Sequence, residues 1–428
     1  MRTRNFQALL PRLREVWRLS LPAILTQITT IAMQYIDSAM VGRLGANASA
    51  AIGLVASSTW LFNGVCYALS AGFSVQVAHR IGAGNARGAR SVEKNGLLAG
   101  LLVSGLLCLL GSLIHAHLPV WLKGDAEITG DAGRYFLSFS WMLPFTQLCS
   151  LTSSFLQCAG DMLTPSILNA VMCVLDVVFN ALLIPRLGVF GAGLGTMLAC
   201  AVVAVVMVIL CCFRNESLRF RSGEHHPVDG AVLKTALRIG TPVALQEVAM
   251  CGAQVASTAI IAPLGALAVA ANAFAVTAES ICYMPGYGIA NAAAALVGRS
   301  VGAGDMESAK RDGNICIALG AFLMTCTGAV MMLICPLVFR MLTPVSDVQQ
   351  LAARVLRIEL LAEPLFGASI VAAGALRGAG DTLVPSLLNL GSIWLVRVGS
   401  ALVLVPRFGL TGMWCAMAVE LCIRGLLL

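Results

Sequence analysis

Five carboxylates stand inside long apolar runs of this 428-residue chain: Asp37, Asp176, Glu247, Glu279 and Glu363. A charge at the centre of a bilayer costs about 2.5–3.5 kcal/mol on insertion scales, so each of them needs a proton, a counter-charge or a water-filled cavity. The chemistry this suits is reversible cation binding, in which a carboxyl holds a proton or exchanges it for another cation. Asp37 has Gln34 three residues before it and Thr30 a further turn back, which makes one polar stripe along a helix. Asp176 shares its helix face with Asn180 at i+4. If the two segments face a common cavity, the stripes meet there; the alternative is an interhelical hydrogen bond from a protonated aspartate.

Other chemistries find little support. No HExxH, GxSxG or histidine cluster lies within the apolar runs, so an enzyme is not expected. His79, the His115/His117 pair and the His225/His226 pair fall in or beside loops. The 15 cysteines lie mostly inside apolar runs without CxxC spacing, so they read as small apolar filler, and no metal or organic cofactor is expected. The GAG triplets at 82–84 and 302–304 lack the lysine of a phosphate loop and read as tight turns.

The elements that must position these acids are membrane helices. The chain is 58% hydrophobic and 11% charged, whereas a soluble domain is about 25% charged. Lipid admits only helices or closed barrels, and these runs lack the alternation of barrel strands. An all-α polytopic protein follows, with twelve spans near 17–43, 48–79, 96–115, 130–157, 165–185, 189–213, 236–262, 267–298, 315–339, 351–376, 382–405 and 410–428. The N-terminal segment is too polar for a cleavable signal peptide and reads as a basic lead-in to the first span. With the N-terminus inside, inner segments hold most of the 28 basic residues, which places both termini in the cytoplasm and makes the basic excess a mark of topology.

The sequence repeats itself. GDMLTPSILN at 160–169 returns as GDTLVPSLLN at 380–389, and the same 220-residue shift carries Pro22 to Pro242, Gly45 to Gly265, Tyr67 to Tyr287 and Pro144 to Pro364. Two pseudo-symmetric six-helix bundles are expected, an N-lobe at 1–213 and a C-lobe at 236–428, joined by a charged cytoplasmic linker at 214–235. Parallel six-span repeats suit alternating access better than a static pore, with ligand in the cleft between them. The halves differ chemically: Ser257 and Val396 stand where Asp37 and Asp176 would fall, and Glu247 stands in the place of Gln27. Arg397, deep in a span, calls for a counter-ion, and Glu247, Glu279 and Glu363 are the candidates; Glu420 has Arg424 at i+4. Met33, Tyr35, Tyr67 and Tyr287 offer an adaptable lining for amphiphilic cations.

YIDSAMVGRLG around Asp37, VLDVVFNALLI around Asp176, the paired GAG turns, Glu247 in ALQEV and AAGALRGAGDT at 372–382 resemble the multidrug and toxic compound extrusion (MATE) family over essentially the whole chain. The resemblance implies a V-shaped twelve-helix fold and export of cationic or amphipathic compounds in exchange for H⁺ or Na⁺. It implies an N-lobe coupling site at Asp37 and Asp176 with Asn180 nearby, Na⁺ being the alternative ion there, and a coupling contribution from Glu247. Two positions depart from the pattern: Met172 replaces an asparagine, and Phe366 stands at the tenth-span aspartate of the NorM-like branch, with Glu363 one turn earlier. Partners are then small organic cations and the bilayer, with no nucleic acid. The expected state is a monomer in a bacterial inner membrane. A lipid-linked precursor flippase is the second reading; it would want a basic cavity, whereas the deep charges here are mostly acidic.

Overall fold

Among the described residues helices make up every regular element of the computed structural model, and many of them break where the sequence places glycine. The structure describes residues 2–221, 224 and 227–428, with side chains from residue 12; the His225/His226 pair lies outside the described residues. In order come α1 (Arg2–Gly42), α2 (Ala46–Gly82), α3 (Ala86–Ile114), the short α4 (Leu118–Trp121), α5 (Ala126–Cys158), α6 (Leu163–Leu187) and α7 (Val189–Ile209), which a π turn extends to Arg214. Then follow α8 (Gly230–Ile261), α9 (Ala266–Gly302), α10 (Met306–Leu342), α11 (Ser346–Glu359), α12 (Glu363–Ala379), α13 (Leu383–Gly391), a π turn over Ser392–Val398, and α14 (Gly399–Leu427).

The repeat is visible in the backbone. Among the described residues eight glycines have positive φ, and they form four pairs under the sequence shift: Gly45/Gly265, Gly84/Gly304, Gly160/Gly380 and, one residue out of step, Gly188/Gly409. At such angles a Cβ is strained, so these sites fix where the helices beside them end. Gly409 (φ 58°) divides the long α14, which separates the expected eleventh and twelfth spans. The expected tenth span, 351–376, differs from the structure. It is two helices, α11 and α12, broken at residues 360–362, and Pro364 sits in the first turn of α12 where its missing N–H costs nothing. Its twin Pro144 lies inside the unbroken α5.

Two compact units form. The first, here the C-unit, takes Met1–Gln27, Leu245–Val297 and Asp305–Leu428; the second, the N-unit, takes Ile28–Ala244 and Gly298–Gly304. Helices α1 and α8 therefore each contribute to both, dividing after Gln27 and after Ala244. The N-unit core packs Val55, Phe62, Phe136, Phe139 and Leu143, with Phe62 and Phe136 edge to face at 5.7 Å. The C-unit core is built on Met324, Phe339, Leu356 and Trp414. Outside these cores the polarity of a soluble protein is reversed: Leu102, Leu106, Leu109 and Leu113 form an exposed apolar stripe down α3. Among the described residues nine helical stretches are long and apolar enough to cross a membrane.

Candidate functional site

In the N-unit the two polar stripes do meet. Asn180 of α6 donates from Nδ2 to Asp37 Oδ1 of α1 at 2.8 Å. Asp176, one turn earlier on α6, is fully buried, and neither of its carboxyl oxygens has a hydrogen-bond partner among the described residues. Its carboxyl lies against that of Asp37. Helix α7 backs the group at Gly195, where a Cβ would collide with Asn180 Oδ1, so only glycine lets α7 approach this closely. Tyr135 of α5 lies within electrostatic reach of both carboxyls. Two carboxyls in contact, one of them buried, cannot both stay ionised cheaply, and a proton or a small cation between them removes the conflict.

The neighbouring candidates spread out. Gln34 is exposed, and its backbone carbonyl accepts from Ser38 Oγ at 2.9 Å. Tyr35 and Tyr67 are about a third exposed, at 37% and 36%, and Met33 is half-buried. Thr30 is taken by Asn169, whose Nδ2 donates to its Oγ1 at 2.9 Å.

In the C-unit the expected partner of Arg397 is corrected. Neither Glu247, Glu279 nor Glu363 forms that ion pair; Arg397 Nε and Nη2 donate to Glu420 Oε2 at 3.1 and 2.7 Å. Glu420 Oε1 accepts from Ser392 Oγ at 2.7 Å and lies 3.2 Å from Arg424 Nε. The wider π turn at Ser392–Val398 sets Arg397 toward α14, so one buried carboxylate serves two guanidiniums. Arg424 also stacks 5.2 Å from the ring centre of Phe366, and Tyr283 meets the same ring at 5.7 Å. Tyr287 lies within electrostatic reach of Arg424, Glu247, Glu279 and Arg397, so these candidates share one neighbourhood. Glu247 itself is half-buried on α8.

A further acid was missed from the sequence. Glu359 is fully buried at the end of α11, Glu363 is fully buried at the start of α12, and none of their four carboxyl oxygens has a hydrogen-bond partner among the described residues. The signal available was the i, i+4 spacing of the two glutamates just before Pro364. Among the described residues no group of three or more His, Cys, Asp or Glu side chains is arranged to hold a metal ion.

Comparison with known proteins gives a consistent result. The MatE family model matches residues 22–182 and again 242–403, two segments that begin 220 residues apart like the internal repeat. A probable multidrug resistance protein NorM of Thermotoga maritima is 28% identical over 426 residues, covering 97% of this chain and 90% of its own. One from Rhodopseudomonas palustris is 30% identical over 449 residues, covering 98% and 93%. A structure of a Vibrio cholerae MATE transporter, a VcmN variant, superposes with a TM-score of 0.89 at 18% identity, covering 97% of this chain and 95% of that one. An outward-facing multidrug resistance MATE transporter of the MOP superfamily gives 0.90 at 20% identity, with 97% and 94% covered.

Proposed function

The chain belongs to the MATE family of multi-pass membrane transporters, and from that premise we propose that it is a secondary antiporter exporting cationic or amphipathic small molecules in exchange for H⁺. The observation that carries this reading is the Asp37–Asp176–Asn180 group: two adjoining carboxyls, one of them fully buried, with Asn180 bonded to the other. A cation must come and go there for the site to be tolerable in both states. When the proton leaves, the hydrogen bond that Asn180 donates steadies the Asp37 carboxylate, whose negative charge attracts an organic cation; when the pair holds a proton, that attraction is lost. One charge moving through 100 mV supplies about 2.3 kcal/mol, enough to bias exchange tens of fold.

The same reading takes residues 1–213 and 236–428 as the alternating lobes, with 214–235 as a cytoplasmic linker, Glu247 as a second contributor to coupling, and Met33, Tyr35, Tyr67 and Tyr287 as lining. It puts both termini in the cytoplasm, the chain in a bacterial inner membrane, and one copy as the working unit. The pair of buried glutamates at the α11–α12 break supports a further cation-holding position beside Glu279, since broken helices in membranes gather around ion sites. Na⁺ is the alternative ion at Asp37 and Asp176. A flippase for lipid-linked precursors is disfavoured, because a pyrophosphate headgroup wants unpaired basic groups and Arg397 is spent on Glu420.

The test is dye export from proteoliposomes under an imposed pH gradient and, separately, an imposed Na⁺ gradient. Wild type should respond to the pH gradient and Asp37→Asn should lose that response. Normal export by Asp37→Asn under both gradients sinks the proposal, and a response to Na⁺ alone reassigns the ion.

A further inference from the structure

The decapeptide repeated at 160–169 and 380–389 has a part that turn formation leaves unused. In each copy a glycine closes the preceding helix at positive φ, +92° at Gly160 and +95° at Gly380. The aspartate that follows accepts a backbone N–H of the next helix, from Thr164 N to Asp161 at 3.0 Å and from Val384 N to Asp381 at 3.2 Å. Proline occupies the first turn in both. The last residue of each copy, an asparagine, serves none of these ends.

Both asparagines reach across to a helix that carries an acid. Asn169 Nδ2 donates to Thr30 Oγ1 of α1 at 2.9 Å, and Asn389 Nδ2 donates to Gln246 Oε1 of α8 at 3.2 Å. Thr30 lies two turns before Asp37 on the same helix, and Gln246 adjoins Glu247. In the N-unit this rung stands beside a second. Asn169 and Asn180 are eleven residues apart on α6, about three full turns, so they share a face. They bond α1 at Thr30 and at Asp37. Two rungs so spaced restrain both the rotation of α1 and its height. The C-unit contact is set one turn differently, since Gln246 corresponds to Thr26 under the repeat rather than to Thr30.

We propose that Asn169 is a positioning residue for ion coupling, holding α1 so that Asp37 meets Asn180 and Asp176, and that Asn389 holds α8 beside Glu247 in the same way. This rests on the reading of Asp37 as the coupling acid. The titratable groups around Asp37 are Asp176 and Cys173 on α6 and Tyr135 on α5, while α7 presents Gly195 to Asn180.

The experiment follows export against pH in proteoliposomes for wild type, Asn169→Ala, Thr30→Val, the double variant, Thr30→Ser and Asp37→Asn. Asn169→Ala and Thr30→Val should each move the half-maximal proton concentration about three- to tenfold, the weight of one hydrogen bond. The double variant should be no worse than either single change, and Thr30→Ser, which keeps the acceptor, should match wild type. Thr30→Val approaches the rung from the other helix, so a folding defect in one variant does not decide the matter. An unshifted pH profile in Asn169→Ala, or shifts that multiply in the double variant, overturns the positioning role. Loss of export in Asp37→Asn beside such an unshifted profile rejects the rung alone, whereas normal export in Asp37→Asn rejects the coupling reading itself.

Discussion

Glu420 shows how much rests on single side chains in the interior. It is fully buried, bonded to Ser392 and Arg397 and paired with Arg424, so its loss would strand two guanidiniums whose side chains are 17% and 9% exposed. Removing one partner from a buried ion pair costs about 3–5 kcal/mol, whereas losing one neutral hydrogen bond costs about 0.5–1.5 kcal/mol. Glu420→Gln should therefore lower the melting temperature in detergent well beyond the effect of Ser392→Ala; equal shifts would mean that the arginines find other partners. Charge counting along the sequence offers Arg397 several acids, and distance alone decides among them. Glu247, Glu279 and Glu363 are left for other roles because Glu420, one turn from Arg424, already stands opposite the π turn.

At the scale of elements, the twin turns after α2 and α9 are built alike and respond differently to acid. Asn85 accepts from Gly88 N at 2.8 Å to start α3, and Asp305 accepts from Ser308 N at 2.9 Å to start α10. The Ser308 hydroxyl, and with it the Ser308 backbone N–H, holds the Asp305 carboxyl below the usual carboxylate range. A folded pKa below the unfolded one gives stability that is present above the unfolded value, about 3.9, and is lost as pH falls through the folded one. Asp305→Asn should flatten the acid limb of a melting-temperature profile while leaving neutral pH unchanged, and Asn85→Ala should lower stability equally at every pH. An acid limb unchanged in Asp305→Asn would assign the acid sensitivity to other carboxyls. Elements also show where the repeat misleads: Pro144 and Pro364 are twins in sequence, yet one rides inside an unbroken helix and the other opens a new one. A proline removes the same N–H in both places, and only the neighbours determine whether the helix bends around the gap or ends at it.

Across the whole molecule, Phe220, Glu224 and Asp229, in the segment that precedes α8, are each bonded to α3 or to the π turn that extends α7. Arg90 donates to Glu224 from Nε and Nη2 at 2.7 and 2.6 Å, Asn95 Oδ1 accepts from Asp229 N at 3.0 Å, and Phe220 N donates to the Cys212 carbonyl at 2.8 Å. Glu224→Ala should raise the rate of limited proteolysis within residues 215–229 while export under a pH gradient stays near wild type. Unchanged cleavage would mean that the Asn95 and Phe220 contacts suffice. The amino-acid sequence by itself determined the class, the repeat, the helix-ending glycines and the acids worth attention, because hydrophobicity, backbone strain and the cost of a charge in lipid act on each residue locally. Only the tertiary structure decided that Asn180 bonds Asp37, that Glu420 holds Arg397, that Glu359 is buried, and that the tenth span is broken. Those outcomes depend on which helix faces which, and the rotation of a helix about its own axis is fixed by its neighbours rather than by its composition.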